Sequence, residues 1–273
     1  MRVTELRIDN GGVRLSGEES GEGTPVVLLH GLTATRRYVV MGSRNLERDG
    51  HRVVAYDARG HGRSGPAGAP DAYGYELLAA DLLAVLDDRG IERAVLAGAS
   101  MGAHTLVRFA LDHPDRAAAL VVITPGFDPE GDGRDLARWD ALSRGLREGG
   151  VEGFVAAYGE PRVPEPWRDT VRTVLRQRLS AHEHPEAVAD ALAAVPRSRP
   201  FPGWDELARL DLPVTVVASR DEADPEHPYA IAERFAAAIP GARLVSEEPG
   251  KSPLAWQGGQ LSGVIAETAA RSR

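Results

Sequence analysis

Five short runs in this chain are almost wholly apolar and rich in β-branched residues: 25–30 (PVVLLH), 52–57 (RVVAYD), 93–99 (RAVLAGA), 119–124 (ALVVIT) and 213–219 (PVTVVAS). Runs of this length that do not alternate apolar with polar residues belong to strands covered on both faces. Residues 242–246 (ARLVS) are a weaker sixth. Helical patterns separate them. In 75–89 the apolar residues Leu77, Leu78, Leu82, Val85 and Leu86 form a stripe of 3.6-residue period, and 101–113, 229–239 and 260–270 are further helical stretches. Buried strands alternating with helices predict a mostly parallel, doubly wound α/β sheet. Ahead of it, 2–9 and 13–16 nearly alternate around Asn10-Gly11-Gly12 and predict a hairpin.

Residues 128–200 interrupt the pattern. They are helical, hold no buried run, and carry clustered prolines at 161, 164, 166, 185, 196 and 200. They read as a helical lid inserted into the core, which divides the chain into 1–127, the lid 128–200, and 201–273. At 273 residues, one α/β domain with an insertion is the expected size.

Composition excludes some chemistry. No cysteine is present, so disulfides, thiolate metal sites and cysteine nucleophiles are ruled out. A net charge of -8 disfavours nucleic acid or an anionic membrane surface as the main partner. The N-terminal stretch MRVTELRIDN lacks the apolar core of a signal peptide, and no apolar run approaches the roughly 18 residues that span a bilayer. A cytoplasmic location is expected. No pair of histidines has convincing metal-ligand spacing.

Gly98-Ala99-Ser100-Met101-Gly102 ends the third buried run, 93–99, and opens a helical stretch. A serine in G-x-S-x-G at such a junction sits on a tight strand-to-helix turn with its hydroxyl above the sheet. Alone the pentapeptide matches many unrelated loops, and such a serine can be a plain helix N-cap; the preceding strand makes Ser100 a candidate nucleophile.

Four blocks together resemble the α/β-hydrolase superfamily over almost the whole chain, the lid least. They are Val26–Leu32 with its His30-Gly31, Asp57-Ala58-Arg59-Gly60-His61-Gly62-Arg63-Ser64, the Ser100 turn, and 213–219. The resemblance implies an α/β-hydrolase fold and an oxyanion hole from the backbone N–H groups of Leu32 and Met101. It gives His30, Arg59 and His61 architectural roles, and it implies an acid after the 213–219 strand. Asp224, in a D-P-x-x-P segment, is the first choice there and Asp221 the alternative. It implies no cofactor and a small-molecule substrate, and leaves oligomeric state open.

In that superfamily a Gly-His pair after the last strand supplies the base. Here Gly250-Lys251 stands in its place, and no histidine follows His227. Lysine with its ordinary pKa is neutral in only about one molecule in 2500 at pH 7, and a nearby carboxylate favours its charged form. Yet Lys251 is the only lysine among 32 basic residues, and only a lysine, not an arginine, can give up its proton. Lys251 is therefore the expected base or charged donor. His227, in the acid loop, is the alternative. His104 is expected to pack on the sheet, His182 and His184 to face the pocket or solvent, and His51 and His113 to lie at the surface.

The resulting expectation is a serine hydrolase or acyl-transfer enzyme for a small ester, thioester or related carbonyl compound, using Ser100, Asp224 and Lys251. A lyase, isomerase or cyclase on the same fold, or an inactive small-molecule-binding protein, is the alternative. Trp139, Phe154, Tyr158 and Trp167 are candidates for the wall of an apolar pocket, which would suit a substrate apolar in part, or for the lid's own core.

Overall fold

The computed structural model describes residues 2–131, 135–220, 224, 226–248 and 256–272. The apolar runs become strands of one eight-stranded sheet in the order β1-β2-β4-β3-β5-β6-β7-β8. The hairpin is β1 (Val3–Asn10) and β2 (Val13–Ser20), joined at Gly11 and Gly12, whose φ values of +60° and +84° suit a tight two-residue turn. β2 pairs antiparallel with β4 (His51–Tyr56). From there β3 (Thr24–Leu29), β5 (Ala94–Ala99), β6 (Ala117–Ile123), β7 (Val214–Ala218) and β8 (Arg243–Ser246) continue the sheet in parallel.

Helices cover both faces. α1 (Asn45–Arg48) and α8 (Gly258–Ala270) lie on one side, where Leu46, Leu261 and Ile265 pack with Val26, Val95 and Val121. α2 (Tyr75–Asp88), α3 (Met101–Asp112) and α7 (Tyr229–Ala238) lie on the other, where Leu82, Leu106 and Phe235 pack with Val27, Leu96 and Val216. Successive strand residues point to opposite faces, so a run buried on both must be apolar at every position.

Between β6 and β7 the chain forms α4 (Leu136–Tyr158), α5 (Glu165–Leu179) and α6 (Pro185–Ala194). α4 breaks at Gly150, whose φ is +59°. Its two arms approach so closely that a Cβ on Gly145 would stand 2.5 Å from the Gly153 carbonyl oxygen. These helices share a core of Leu142, Leu146, Phe154, Leu179 and Val188.

Buried polar groups tie the loops at the C-terminal strand ends. Asp57 accepts hydrogen bonds from the backbone and guanidinium of Arg36 and from the Arg63 amide. Arg59 makes a two-pronged pair with Asp81 at 2.7 and 2.8 Å, and Asn10 donates to the same carboxylate. His30 accepts from the Ala58 amide through Nε2. His182 neither faces the pocket nor meets solvent: it accepts from Gly62 N–H and donates to the Thr33 carbonyl, joining the insertion to two core loops. His51, expected at the surface, is buried at the start of β4.

Candidate functional site

β5 delivers the chain to Ser100 and α3 leads it away. The serine has φ +51° and ψ -112°, a conformation rarely held by a residue with a side chain and one that requires support from its surroundings. Two glycines permit it. A Cβ on Gly102 would lie 2.2 Å from the Leu29 carbonyl oxygen, and one on Gly98 would lie 2.5 Å from the Gly102 backbone. As the first residue of α3, Met101 has a backbone N–H with no partner inside the helix. Leu32, beyond the end of β3, lines the same cavity wall as Ser100 and Met101.

The β7–α7 loop brings two more side chains to the serine. His227 Nε2 lies 2.7 Å from Ser100 Oγ, and His227 Nδ1 lies 2.7 Å from Asp224 Oδ2. This network assigns the tautomer: Nδ1–H donates to the carboxylate and Nε2 accepts from the serine hydroxyl. Burial alone would raise the Asp224 carboxyl. The charge and hydrogen bond of His227, with the Glu226 amide, outweigh it and hold the group below its ordinary value.

Of the residues singled out from sequence, Ser100, Asp224 and His227 therefore meet, and Leu32 and Met101 stand beside them. Lys251 and Asp221 lie outside the described residues. In the sequence the His227–Asp224 contact is marked by the D-x-x-H spacing, which lets a tight turn fold both side chains onto one hydrogen bond. The loop is secured from β8: Glu247 accepts from the Ser219 hydroxyl at 3.2 Å and from the Arg220 amide.

A glycine and a histidine that sequence reasoning had not placed at the site support it from below. His104 accepts hydrogen bonds from the Gly126 and Phe127 amides at 3.1 and 3.2 Å, and its other nitrogen meets the Tyr75 hydroxyl at 3.0 Å. Burial, aided by nearby His227, pushes His104 down to about 3, so it is a neutral acceptor. Gly126 lies directly against the segment that carries Asp224 and His227: a Cβ there would stand 2.3 Å from the Glu226 carbonyl oxygen and 3.3 Å from the His227 ring.

Above Ser100 is a cavity of about 1040 Å³, walled by the core loops and by the helices between β6 and β7. Trp139, Phe154, Tyr158 and Trp167 all line it, and Phe154 is also part of the insertion's own core. Trp139 and Tyr158 pack against that core too, so these three combine the two roles considered, while Trp167 belongs to the cavity wall. Among the described residues no group of three or more His, Asp or Glu side chains is arranged to hold a metal ion. No helix among them is long and apolar enough to cross a membrane.

Sheet order, strand-to-helix serine and the loops around it define the α/β-hydrolase class. The model of the alpha/beta hydrolase fold family matches residues 24–161, and the chain belongs to that family. A 2-hydroxy-6-oxononadienedioate/2-hydroxy-6-oxononatrienedioate hydrolase 2 of Pseudomonas putida is 32% identical over 270 residues, covering 92% of this chain and 85% of that protein. A thermophilic esterase from Thermogutta terrifontis, solved with malate bound, is 28% identical with a TM-score of 0.76, covering 98% of this chain and 96% of the other. Some curated relatives match over a shorter stretch: the aligned segment is 38% of epoxide hydrolase A from Mycobacterium tuberculosis and 40% of a non-heme haloperoxidase from Mycobacterium phage D29. By these relationships the protein is a hydrolase-type enzyme of the α/β-hydrolase fold.

Proposed function

We propose that the protein is a serine hydrolase, or acyl-transfer enzyme, for a small ester, thioester or related carbonyl compound, with Ser100, His227 and Asp224 as its catalytic groups. The observation that carries this reading is the unbroken hydrogen-bond chain from Ser100 Oγ through His227 to Asp224.

Ser100 Oγ attacks the substrate carbonyl carbon as its proton passes to His227 Nε2. Asp224 holds the ring in the needed tautomer and stabilises the imidazolium that forms. Negative charge gathers on the carbonyl oxygen, which the Leu32 and Met101 N–H groups receive; losing one such donor typically costs about 3 kcal/mol of transition-state stabilisation. His227 then gives its proton to the leaving alcohol or thiol, and an acyl-serine remains. Water, or another alcohol, attacks that ester as His227 takes up its proton; as the bond from the acyl carbon to Ser100 Oγ breaks, His227 returns the proton to Oγ, and the acid or new ester leaves. Residues 128–200 act as the lid that limits water at the acyl-serine, and no cofactor is needed. Lys251 is not required for proton transfer in this scheme.

A fluorophosphonate probe read by intact-protein mass tests the assignment. One adduct is expected on the unaltered protein and none on Ser100→Ala. His227→Ala is expected to label at least about a thousandfold more slowly, and Lys251→Ala at close to the normal rate. Normal labelling of His227→Ala, with loss in Lys251→Ala, would return the base to the lysine.

A further inference from the structure

The cavity above Ser100 contains charged side chains, and most are already neutralised. Arg138 pairs with Glu226 at 3.0 Å, and Asp128 pairs with Arg234 at 3.2 Å. Arg220 is exposed and rests on the Tyr229 ring with its Nη2 on the Tyr229 hydroxyl. Arg178, from α5, is different. It is half-buried in the cavity wall, and no carboxylate among the described residues lies within ion-pair distance of it. Its Nη2 donates at 3.0 Å to both the Leu32 carbonyl and the Thr33 hydroxyl. Its Nε is buried with no acceptor, and Nη1 has none among the described residues. A guanidinium carries five N–H donors in a fixed fork, so this one keeps both its charge and unused donors at the cavity.

An arginine in such a place is costly unless something answers its charge. Burial depresses its pKa, though not enough for an arginine to become neutral. The Tyr38 ring, 5.7 Å from the guanidinium carbon, and the Asp224 carboxylate, which is beyond ion-pair distance and already bonded to His227, offer only partial compensation. A packing role would need no charge, because the two bonds to Leu32 and Thr33 use one nitrogen alone.

We propose that Arg178 is the anchor for a carboxylate on the substrate, so that the enzyme acts on carbonyl compounds bearing a second, free carboxylate group. The proposal rests on Ser100 as the nucleophile of the same cavity. A single guanidinium, with the Asp224 carboxylate close enough to feel it, suits a monoanion better than a phosphate dianion. Since Arg178 also grips the Leu32 carbonyl, anion binding would steady the loop whose Leu32 N–H faces the reacting carbonyl.

Binding to Ser100→Ala protein, measured by calorimetry, tests this without turnover. Monomethyl adipate, an anion, is expected to bind at least about tenfold more tightly than neutral dimethyl adipate. That preference should shrink as salt is raised, vanish in Arg178→Gln, and persist in part in Arg178→Lys. Equal binding of the two esters, or a preference that survives Arg178→Gln, overturns the proposal, as does tighter binding of the corresponding phosphonate. If Arg178→Gln does not fold, the ester comparison, its salt dependence and the Arg178→Lys result still decide. Failure of fluorophosphonate labelling would remove Ser100 as the nucleophile but leave the ester comparison readable.

Discussion

Lowering the pH from 7 to 5 is expected to destabilise this protein through two imidazoles buried in neutral form. Burial holds His30 and His104 at about 3 each, against an ordinary histidine value of 6.5. Between about pH 6.5 and 3 the unfolded chain binds a proton at each ring that the native protein does not. Stability therefore rises with pH across that window and is lost as pH falls through it, at about 1.4 kcal/mol per pH unit for each ring. Integrated from pH 7 to pH 5, each histidine costs about 2 kcal/mol, and the pair about 4 kcal/mol. His61 and His182 are shifted down as well, chiefly by burial, and act in the same direction. A loss of this size is a large fraction of typical domain stability. Urea unfolding followed by tryptophan fluorescence should show the midpoint falling by roughly 1 M between the two pH values. His104→Gln should reduce that difference, whatever it does to stability at pH 7. A midpoint unchanged or higher at pH 5 would refute the neutral-burial account.

Two substitutions probe other parts of the frame. Gly126→Ala places a methyl group against the Glu226 carbonyl and the His227 ring; ester turnover should fall roughly a hundredfold while the unfolding midpoint changes little, and activity within twofold of normal would show that the loop does not rest on Gly126. Arg59→Met leaves the buried Asp81 charge with Asn10 as its remaining side-chain partner; a loss of about 3–5 kcal/mol in urea unfolding is expected, and a loss under about 1 kcal/mol would show that Asp81 is not held as a charged partner.

The frame of the molecule could be read from sequence because burial on two faces leaves a plain mark. The runs at 25–30, 52–57, 93–99, 119–124 and 213–219 overlap β3, β4, β5, β6 and β7. Gly98 and Gly102 marked the Ser100 turn because no Cβ fits at either position. Residues whose roles depend on approach in space were harder to place. His227 is distant from Ser100 along the chain, and only the fold of the β7–α7 loop brings its Nε2 to 2.7 Å. Gly126 appears in sequence as an ordinary loop glycine, and its constraint comes from a neighbour about a hundred residues away. Arg178 was indistinguishable among 31 arginines until its surroundings were visible.

Asp224 and His227 lie three residues apart on one loop, while Ser100 sits on the separate strand-to-helix turn of the sheet. When acid and base come from two segments, displacing one strands the other. In the proposed relay both stand three residues apart on one segment. A substitution that displaced that segment would take the pair from Ser100 together, so graded loss of acid and base one after the other is not expected.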